Sequence, residues 1–504
     1  MNVESISDVD DRHSGNISHV STHLLSPAER ENIAAEMLEF LRRHIINVWF
    51  PRCIDRQAGG FFCDFDRAWK PCGPQQRMLE FQARQTHVAA LLALAFPNES
   101  QWTDTAIHGF RYLRDVMWDH QHGGWYWMIG RDGVVLQNGS KHAHSTAYAL
   151  QACVQVHLAT REPGALELAR EGFEWFDRYG YDNEYGGFQS WLRREGTILQ
   201  IDDTSAAEPL GHDVGLKDVN VHGDWIEALT DLVRVQPNGT VQRRLQNLAH
   251  LFLTHLVMRD GALHYACYKD WRPQPALERY GYHFQNVHRF VTGSDLFERP
   301  KAFQSAARRL LDHAIARSNA GKSGGFWYAG PGGVPNKLEN VLVLVKRRTW
   351  WPQFEALRSL ALFSLRKNET DSRYAELFRT QWNFVRDRMC DKSFGGTYAT
   401  CPSDLSARER PLGRWRNGAA LHKGNVWKDA LLHAETAGMA RCSPAKSEQG
   451  ESTNTGQMKS WPSLRCASAI QIVRPRESIA DTQPQLQPAL LRLSAMISQY
   501  FTRS

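Results

Sequence analysis

Four histidines and one arginine stand near the starts of separate predicted helices: Arg84, His144, His222, His283 and His433. Histidine is the side chain best suited to proton transfer near neutral pH. One histidine at a helix start is usually a capping or core residue, but four on parallel helices favour acid–base chemistry. An arginine beside them could stabilise negative charge on a substrate oxygen, because its guanidinium stays charged and offers a planar fork of donors.

Helical periodicity predicts the elements that would position these residues. We expect twelve helices, near 27–49, 75–96, 101–118, 141–160, 163–179, 219–235, 239–257, 283–297, 300–317, 348–366, 370–389 and 422–440. Gly-Gly-aromatic runs such as Gly59-Gly60-Phe61 and Gly324-Gly325-Phe326 recur between them, and suit tight helix endings. Six stacked hairpins of this kind predict an all-α fold, an (α/α)6 barrel with short β-hairpin loops.

In such a barrel the even-numbered helices form an inner, parallel ring. The five residues named above would then converge at one mouth, where the helix N-termini also favour negative charge. The sequence thus predicts a single catalytic domain over 27–440, preceded by a disordered leader at 1–26. Residues 441–504, rich in Ser, Gln, Pro and Arg, are predicted to be a largely disordered tail.

Composition excludes several classes of protein. The leader lacks the apolar segment of a secretory signal, and no apolar run approaches the length of a membrane span. Nine scattered cysteines fit reduced thiols and a cytoplasmic location. A net charge of +6 without a basic block argues against nucleic-acid binding. No H-E-x-x-H or C-x-x-C motif is present, so we expect no metal and no cofactor.

Several segments, in the same order along the predicted inner helices, resemble one known family. They are Phe81-Gln82-Ala83-Arg84-Gln85, Lys141-His142-Ala143-His144, Asp218-Val219-Asn220-Val221-His222, Trp350-Trp351-Pro352-Gln353-Phe354-Glu355 and Lys423-Gly424-Asn425-Val426-Trp427. Over about 27–440 the chain resembles the N-acylglucosamine 2-epimerase family, which includes cellobiose 2-epimerases and mannose isomerases.

The resemblance implies a sugar isomerase or epimerase that needs no metal. A basic side chain of the enzyme would remove the C2 proton of an aldose, giving a cis-enediolate. The aldose would be of the mannose, glucose, N-acylglucosamine or cellobiose type. The resemblance implies His283 and His433 as acid and base, Arg84 at the enediolate oxygens and His222 as an assisting group. The remaining candidates would bind the sugar: Asn220, His144, Tyr282, Gln285, Trp351, Gln353, Glu355 and Trp427.

The chain departs from the family pattern at its expected catalytic histidines. Tyr282 and Leu432 occupy those positions, and Gln285 replaces a glutamate; His283 and His433 come one residue later, about 100° round a helix. Two alternatives therefore stay open. One is a non-catalytic sugar-binding protein on the same barrel. The other is a glycoside hydrolase using two carboxylates from among Asp55, Asp202, Asp203, Asp218 and Glu355. We expect the chain to bind a sugar, and we expect no binding to nucleic acid or to a membrane. Whether it forms a homodimer is left open.

Overall fold

The computed structural model describes residues 25–201, 203, 212–330, 345–366, 371–405 and 422–439. These residues form the α-helices α1 (Pro27–Phe40), α2 (Asn47–Cys53), α3 (Leu79–Ala95), α4 (Ser100–Tyr112), α5 (Ala143–Thr160), α6 (Ala165–Gly180), α7 (Val219–Val235), α8 (Gly239–Leu251), α9 (Tyr280–Thr292), α10 (Pro300–Ser318), α11 (Trp350–Ser364), α12 (Arg373–Phe384) and α13 (Leu431–Met439). A π-helical segment joins α1 to α2, so these two correspond to the first predicted helix.

The helices form two concentric layers. Helices α3, α5, α7, α9, α11 and α13 each pack on the next member of this series, and α13 packs on α3, which closes the inner ring. Helices α4, α6, α8, α10 and α12 lie outside it, each against a neighbouring inner helix, and α1 packs on α13. The predicted (α/α)6 barrel is thereby confirmed.

Burial explains which helices lie inside. The outer helix α6 buries one face, with Leu168, Phe173 and Phe176, and leaves its other face to solvent. The inner helix α3 is buried at all of its residues except Leu91 and Leu94. An inner helix is therefore packed on every side, and its polar residues must face the channel or a specific partner.

Short antiparallel strand pairs lie beside the starts of the inner helices. They are β1 (Arg77–Met78) with β2 (Met128–Ile129), β3 (Lys141–His142) with β4 (Trp191–Leu192), β5 (Lys217–Asp218) with β6 (Ala266–Cys267), β6 with β7 (Pro273–Gln274), and β8 (Glu278–Arg279) with β9 (Ala329–Gly330). Strands β1, β3, β5 and β8 each lead directly into an inner helix. The pairs therefore link consecutive hairpins at the mouth where those helices begin.

In α3 and α11 the fourth residue of the inner helix holds the Gly-Gly loop of its own hairpin. In α3 the Gln82 side chain accepts the Phe61 N–H at 2.7 Å and donates to the Phe61 carbonyl at 2.9 Å. In α11 the Gln353 side chain makes the same two bonds to Phe326, both at 2.9 Å. Gly60 has a φ of +64°, and a Cβ there would lie 2.5 Å from Gln82 Oε1. This close approach explains the recurring Gly-Gly pair.

A buried ion pair is the second contact that the hairpins repeat. A basic residue shortly before the inner helix pairs with an aspartate that follows the outer helix; the pairs are Arg77–Asp55 at 2.5 Å, Lys141–Asp119 at 3.0 Å, Lys217–Asp182 at 2.8 Å and Lys423–Asp391 at 2.7 Å. The aspartate also accepts loop N–H groups, as Asp55 does from Gln57 and Ala58. Each of these buried carboxylates is thus matched by a cation and by donors.

The structure differs from the predicted helix limits mainly at α13, which begins at Leu431 rather than near 422. Asn425 accepts the N–H groups of Trp427 and Lys428, and this turn delays the helix. No helix in the described part of the chain is both long enough and apolar enough to cross a bilayer. The predicted leader, apart from Leu25 and Ser26, and the predicted tail lie outside the described residues, so the domain limits stay predictions.

Candidate active site

Polar residues spaced four and then three apart meet inside the inner ring. Most of these polar residues are the second, sixth or ninth residue of an inner helix. They include Glu80, Arg84 and His87 of α3, His144 and Tyr148 of α5, Asn220, Asp224 and Glu227 of α7, and Glu355 and Arg358 of α11. This spacing follows one face of a helix, and contacts between neighbouring helices join these faces into one network.

The central feature of this network is a buried histidine–aspartate pair. His144 Nδ1 contacts Asp224 Oδ2 at short hydrogen-bond distance, and Asn220 Nδ2 lies 3.2 Å from the same nitrogen. Asp224 is held in turn by the guanidinium of Arg289. A carboxylate that accepts the Nδ1–H of a histidine fixes its tautomer, which leaves Nε2 as the basic atom. His144 Nε2 lies 4.0 Å from Glu80 Oε1, so a second carboxylate would stabilise the imidazolium.

Arg84 lies beside this pair and shares Tyr148 with it. The guanidinium of Arg84 lies over the Tyr148 ring at 4.0 Å, and the His144 ring centroid is 5.1 Å from that of Tyr148. Arg84 Nη1 is also 3.3 Å from Asp429 Oδ2. Asp429 Oδ1 accepts the Leu431 N–H at the start of α13, which fixes its orientation. The arrangement places the permanent cation of Arg84 and the ring of His144 against the same tyrosine.

Glu355 and Glu435 are carboxyls that can hold a proton near neutral pH. Burial raises the pKa of Glu355 to about 7, although the nearby Arg358 opposes the shift. Burial likewise raises the pKa of Glu435 to about 8, although Arg358 lies 3.0 Å away. Neither oxygen of Glu355 has a hydrogen-bond partner among the described residues. Glu355 is thus a candidate proton donor beside the histidine–aspartate pair.

Aromatic and amide side chains from the predicted sugar-binding set surround these groups. The ring centroids of Tyr282 and Trp351 are 5.1 Å apart, and that of Trp427 lies 6.4 Å from that of His144, with the two planes nearly parallel. Trp351 and Trp427 are half-buried, while Gln285 is buried with an Oε1 that lacks a hydrogen-bond partner among the described residues. These aromatic faces and this amide could contact a sugar.

His222 and Gln353 do not join this cluster. Each is the fourth residue of its inner helix and holds a loop backbone instead. Both ring nitrogens of His222 form hydrogen bonds. Nδ1 lies 2.8 Å from the Asp218 carbonyl oxygen, and Nε2 accepts the Phe188 N–H at 3.0 Å. Burial lowers the pKa of His222 to about 4, so it stays neutral. The structure therefore places these two residues, for which assisting and sugar-binding roles were expected, in contact with backbone groups outside the cluster.

His283 and His433, expected to be acid and base, also face away from Arg84. The His283 ring is parallel to that of His313 on the outer helix α10, with centroids 5.2 Å apart. His433 Nε2 lies 2.8 Å from Thr397 Oγ1 in the last loop, and its ring stacks on Trp350 at 5.1 Å. Since one residue turns a helix by about 100°, the register puts Tyr282, not His283, beside the mouth aromatic Trp351.

Sequence reasoning missed several members of the cluster, namely Glu80, Tyr148, Asp224, Glu227, Arg289, Arg358, Asp429 and Glu435. A signal for some of them was available in the sequence. Glu80 comes four residues before Arg84, Tyr148 four after His144, and Asp224 four after Asn220. Each therefore lies on the same helix face as a residue that the sequence already indicated.

A closed helical barrel with buried acid–base groups and a cation in its channel is the architecture of an enzyme. The chain matches the model of the N-acylglucosamine 2-epimerase (GlcNAc 2-epimerase) family over residues 59–165 and 214–416, more than half of its length. It therefore belongs to that family, which places it among the epimerases and isomerases.

Individual relatives agree with this assignment. The chain is 26% identical over 255 residues to the cellobiose 2-epimerase of Bacteroides fragilis, covering 50% of this chain and 63% of that protein, less than two thirds of its length. It is 24% identical over 384 residues to the D-mannose isomerase of Marinomonas mediterranea, and the match covers 71% of this chain and 88% of that protein. The structure of cellobiose 2-epimerase from Spirochaeta thermophila superposes with a TM-score of 0.69 at 21% identity, covering 82% of this chain and 97% of that one.

Proposed function

We propose that this chain is an aldose–ketose isomerase in which His144 moves a proton between C2 and C1 of the sugar. The observation that supports this best is the buried His144–Asp224 pair beside Arg84. Tyr282 and Leu432 stand where the resemblance predicts catalytic histidines, so the acid–base function must come from another residue. His144 has a carboxylate on one nitrogen and shares the Tyr148 ring with an arginine of the same cluster.

The proposed reaction balances with these groups alone. In the open-chain aldose, His144 Nε2 accepts the C2 proton, the C–H electron pair forms the C1–C2 double bond, and negative charge develops on O1. Arg84 stabilises that charge, since a preorganised cation in a buried site needs little reorganisation. Glu355, protonated near neutrality, supplies a proton to O1 of the enediolate. The resulting Glu355 carboxylate then accepts the O2 proton, and the O2–H electron pair forms the C2 carbonyl. At the same time the C1–C2 double-bond pair takes the proton back from His144 at C1, which restores both residues.

A site with a single base favours formation of the ketose over formation of the C2 epimer. Epimerisation requires a proton to leave one face of C2 and to arrive on the other, which suits two groups on opposite sides of the sugar. Transfer from C2 to C1 can use a single group on one face of the enediolate. His144 Nε2 makes no hydrogen bond to protein backbone among the described residues, so it can act alone, and a single shuttle is the simpler mechanism.

The two alternatives from the sequence have less support. A hydrolase would need two available carboxylates, yet Asp55 is paired with Arg77 and Arg131, and Asp218 caps α7 by accepting two N–H groups. Asp203 pairs with Arg193, and Asp202 lies outside the described residues. A non-catalytic sugar-binding protein would have no need of a histidine–aspartate pair in its channel. The sugar is proposed to be of the mannose, glucose, N-acylglucosamine or cellobiose type; the relatives are named for cellobiose and D-mannose, and the family for N-acylglucosamine.

The test is a comparison of His144→Asn with the unaltered protein on mannose, glucose, cellobiose and N-acetylglucosamine. We expect conversion of at least one sugar, and a loss of turnover of roughly 10²-fold or more in the variant, because a general base is removed. His108→Asn is the matched control, since His108 lies on the outer helix α4 and contacts the Gly60 carbonyl at 2.9 Å. Full activity in His144→Asn would overturn the proposed role; sugar binding without conversion in the unaltered protein would support the binding alternative.

A further inference from the structure

The hairpin around α9 inverts the charge pattern of its neighbours. Two residues before an inner helix stand Arg77, Lys141 and Lys217, each paired with an aspartate after the outer helix. At the same place before α9 the chain has Glu278. The loop position that holds the aspartate elsewhere is Met258 here. Both partners of the usual ion pair are therefore replaced, and the replacement leaves a carboxylate where a cation normally lies.

Glu278 is buried and has two histidines as its neighbours. Its Oε1 accepts the Leu263 N–H at 3.0 Å, which is the loop contact that Gln82 and Gln353 make in other hairpins. Its Oε2 lies 3.0 Å from His313 Nε2, and its Oε1 lies 3.5 Å from His283 Nε2. In the part of the chain that the structure describes, no lysine or arginine forms an ion pair with Glu278. In the hairpins of α3, α5, α7 and α13 the carboxylate of the corresponding pair lies against a lysine or arginine.

His283 has no hydrogen bond to explain its burial. It is fully buried, and neither Nδ1 nor Nε2 has a hydrogen-bond partner among the described residues. His222, the fourth residue of the preceding inner helix, uses both of its nitrogens. Since Glu278 already holds the loop, His283 is left with an open nitrogen aimed at that carboxylate. Burying an unpaired polar atom is costly, so an additional partner is expected.

The three side chains lie close enough together to share one ion. One ligand atom from each of the three residues lies within 4.8 Å of the others, which small side-chain movements can bring to coordination distance.

We propose that Glu278, His283 and His313 bind a divalent metal ion of the Zn²⁺ class that ties the inner helix α9 to the outer helix α10. Two imidazoles and one carboxylate suit Zn²⁺, with water as the fourth ligand. His313 retains 9% of its surface exposure, which gives water and the ion a route to the cluster. The ion would be structural, since His283 faces the outer layer and not the channel that holds His144. The expected independence of the reaction from metals is unchanged.

The test measures metal binding directly, with the full chain carrying no histidine tag. Protein treated with a chelator is titrated with Co²⁺, whose visible absorption reports the ligands. In a separate sample loaded with Zn²⁺, the zinc content of the protein is measured by elemental analysis. We expect one ion per chain and a higher melting temperature with Zn²⁺ than without. His313→Asn should weaken binding by at least about 10-fold. His255→Asn is the control, because His255 follows the neighbouring outer helix and stacks on Trp271.

A second variant keeps the test decisive if loss of His313 impairs folding. His313→Cys retains a ligand and should add a thiolate-to-Co²⁺ charge-transfer band in the near ultraviolet, whereas His255→Cys should add none. Absence of stoichiometric metal in the unaltered protein would overturn the proposal. Equal affinity in His313→Asn, or a His313→Cys protein that binds Co²⁺ without the new band, would also overturn it.

Discussion

His144 is held so that one of its nitrogens is ready to act as a base. Asp224 contacts Nδ1 and is itself held by Arg289, so the ring has little freedom to turn. Glu80 lies 4.0 Å from Nε2, close enough to stabilise the charge that a transferred proton brings. The proposed base, its orienting carboxylate and the cation of Arg84 therefore come from the three adjacent inner helices α3, α5 and α7.

Arg84→Lys tests whether the planar fork of the guanidinium matters for the enediolate. The lysine keeps the charge but loses the paired donors, so we expect turnover to fall by about 10²-fold with little change in melting temperature. Steady-state kinetics on the converted sugar would measure this fall. Arg114→Lys is the control, since Arg114 forms an exposed pair with Asp115. A lysine variant with normal turnover would show that charge alone is sufficient.

Glu355→Gln should alter how stability depends on pH. The pKa of this carboxyl is raised from 4.5 to about 7, so the folded state binds its proton more tightly than the unfolded chain. That contribution is full below pH 4.5 and is lost as pH rises through about 7. The unaltered protein should therefore lose stability relative to the glutamine variant between these pH values. Urea unfolding at several pH values measures the difference, and parallel profiles would contradict the raised pKa.

At this scale the sequence indicated Arg84 and His144, which lie in the cluster, and also His283 and His433, which face away from it. A helix start can be placed only to within a few residues from periodicity, yet one residue turns a side chain by about 100°. His283 and His433 therefore looked equivalent to His144 in the sequence. The outward-facing contacts with His313 and Thr397 exist only in the folded hairpins, so no local pattern could reveal them.

The individual hairpin is held together by side-chain contacts to its Gly-Gly loop. Gln353→Met keeps the size of the side chain but leaves the Phe326 N–H and carbonyl without partners inside the barrel. We expect a loss of about 1–3 kcal/mol in the free energy of unfolding, since buried backbone groups become unsatisfied. Chemical denaturation measures it.

The control for this variant is Gln101→Met, because Gln101 is exposed on α4 and its side-chain amide donates to Glu99. It should leave the free energy of unfolding nearly unchanged. If Gln353→Met proved equally harmless, the loop contact would not contribute to stability.

The elements themselves were largely predictable. Outer helices such as α6 bury one face and show a clear helical period, while α3 and α5 are recognisable by their length and apolar content. The start of α13 was missed because Asn425 forms a turn within a segment that otherwise resembles a helix. The charge inversion at Glu278 becomes visible only when the hairpins are superposed, since its partner position, Met258, is twenty residues earlier in the chain.

For the whole molecule, the barrel depends on contact between its first and last helices. Helix α1 packs on α13, and α13 also packs on α3 and α11. We predict that a chain of residues 25–440 keeps the cooperative thermal transition and the activity, whereas a chain ending before α13 loses both because the inner ring stays open. Calorimetry of the two truncated proteins checks this. Loss of the transition in the longer one would contradict the predicted domain limits.

The most direct measurement follows the C2 hydrogen of the sugar. An aldose that carries deuterium at C2 is incubated with the protein in ordinary water, and the product is analysed by nuclear magnetic resonance. We predict a ketose with part of the deuterium at C1, because His144 removes and returns the same hydrogen, and no such product with His144→Asn. A C2 epimer whose C2 hydrogen comes entirely from the solvent would contradict a single histidine shuttle.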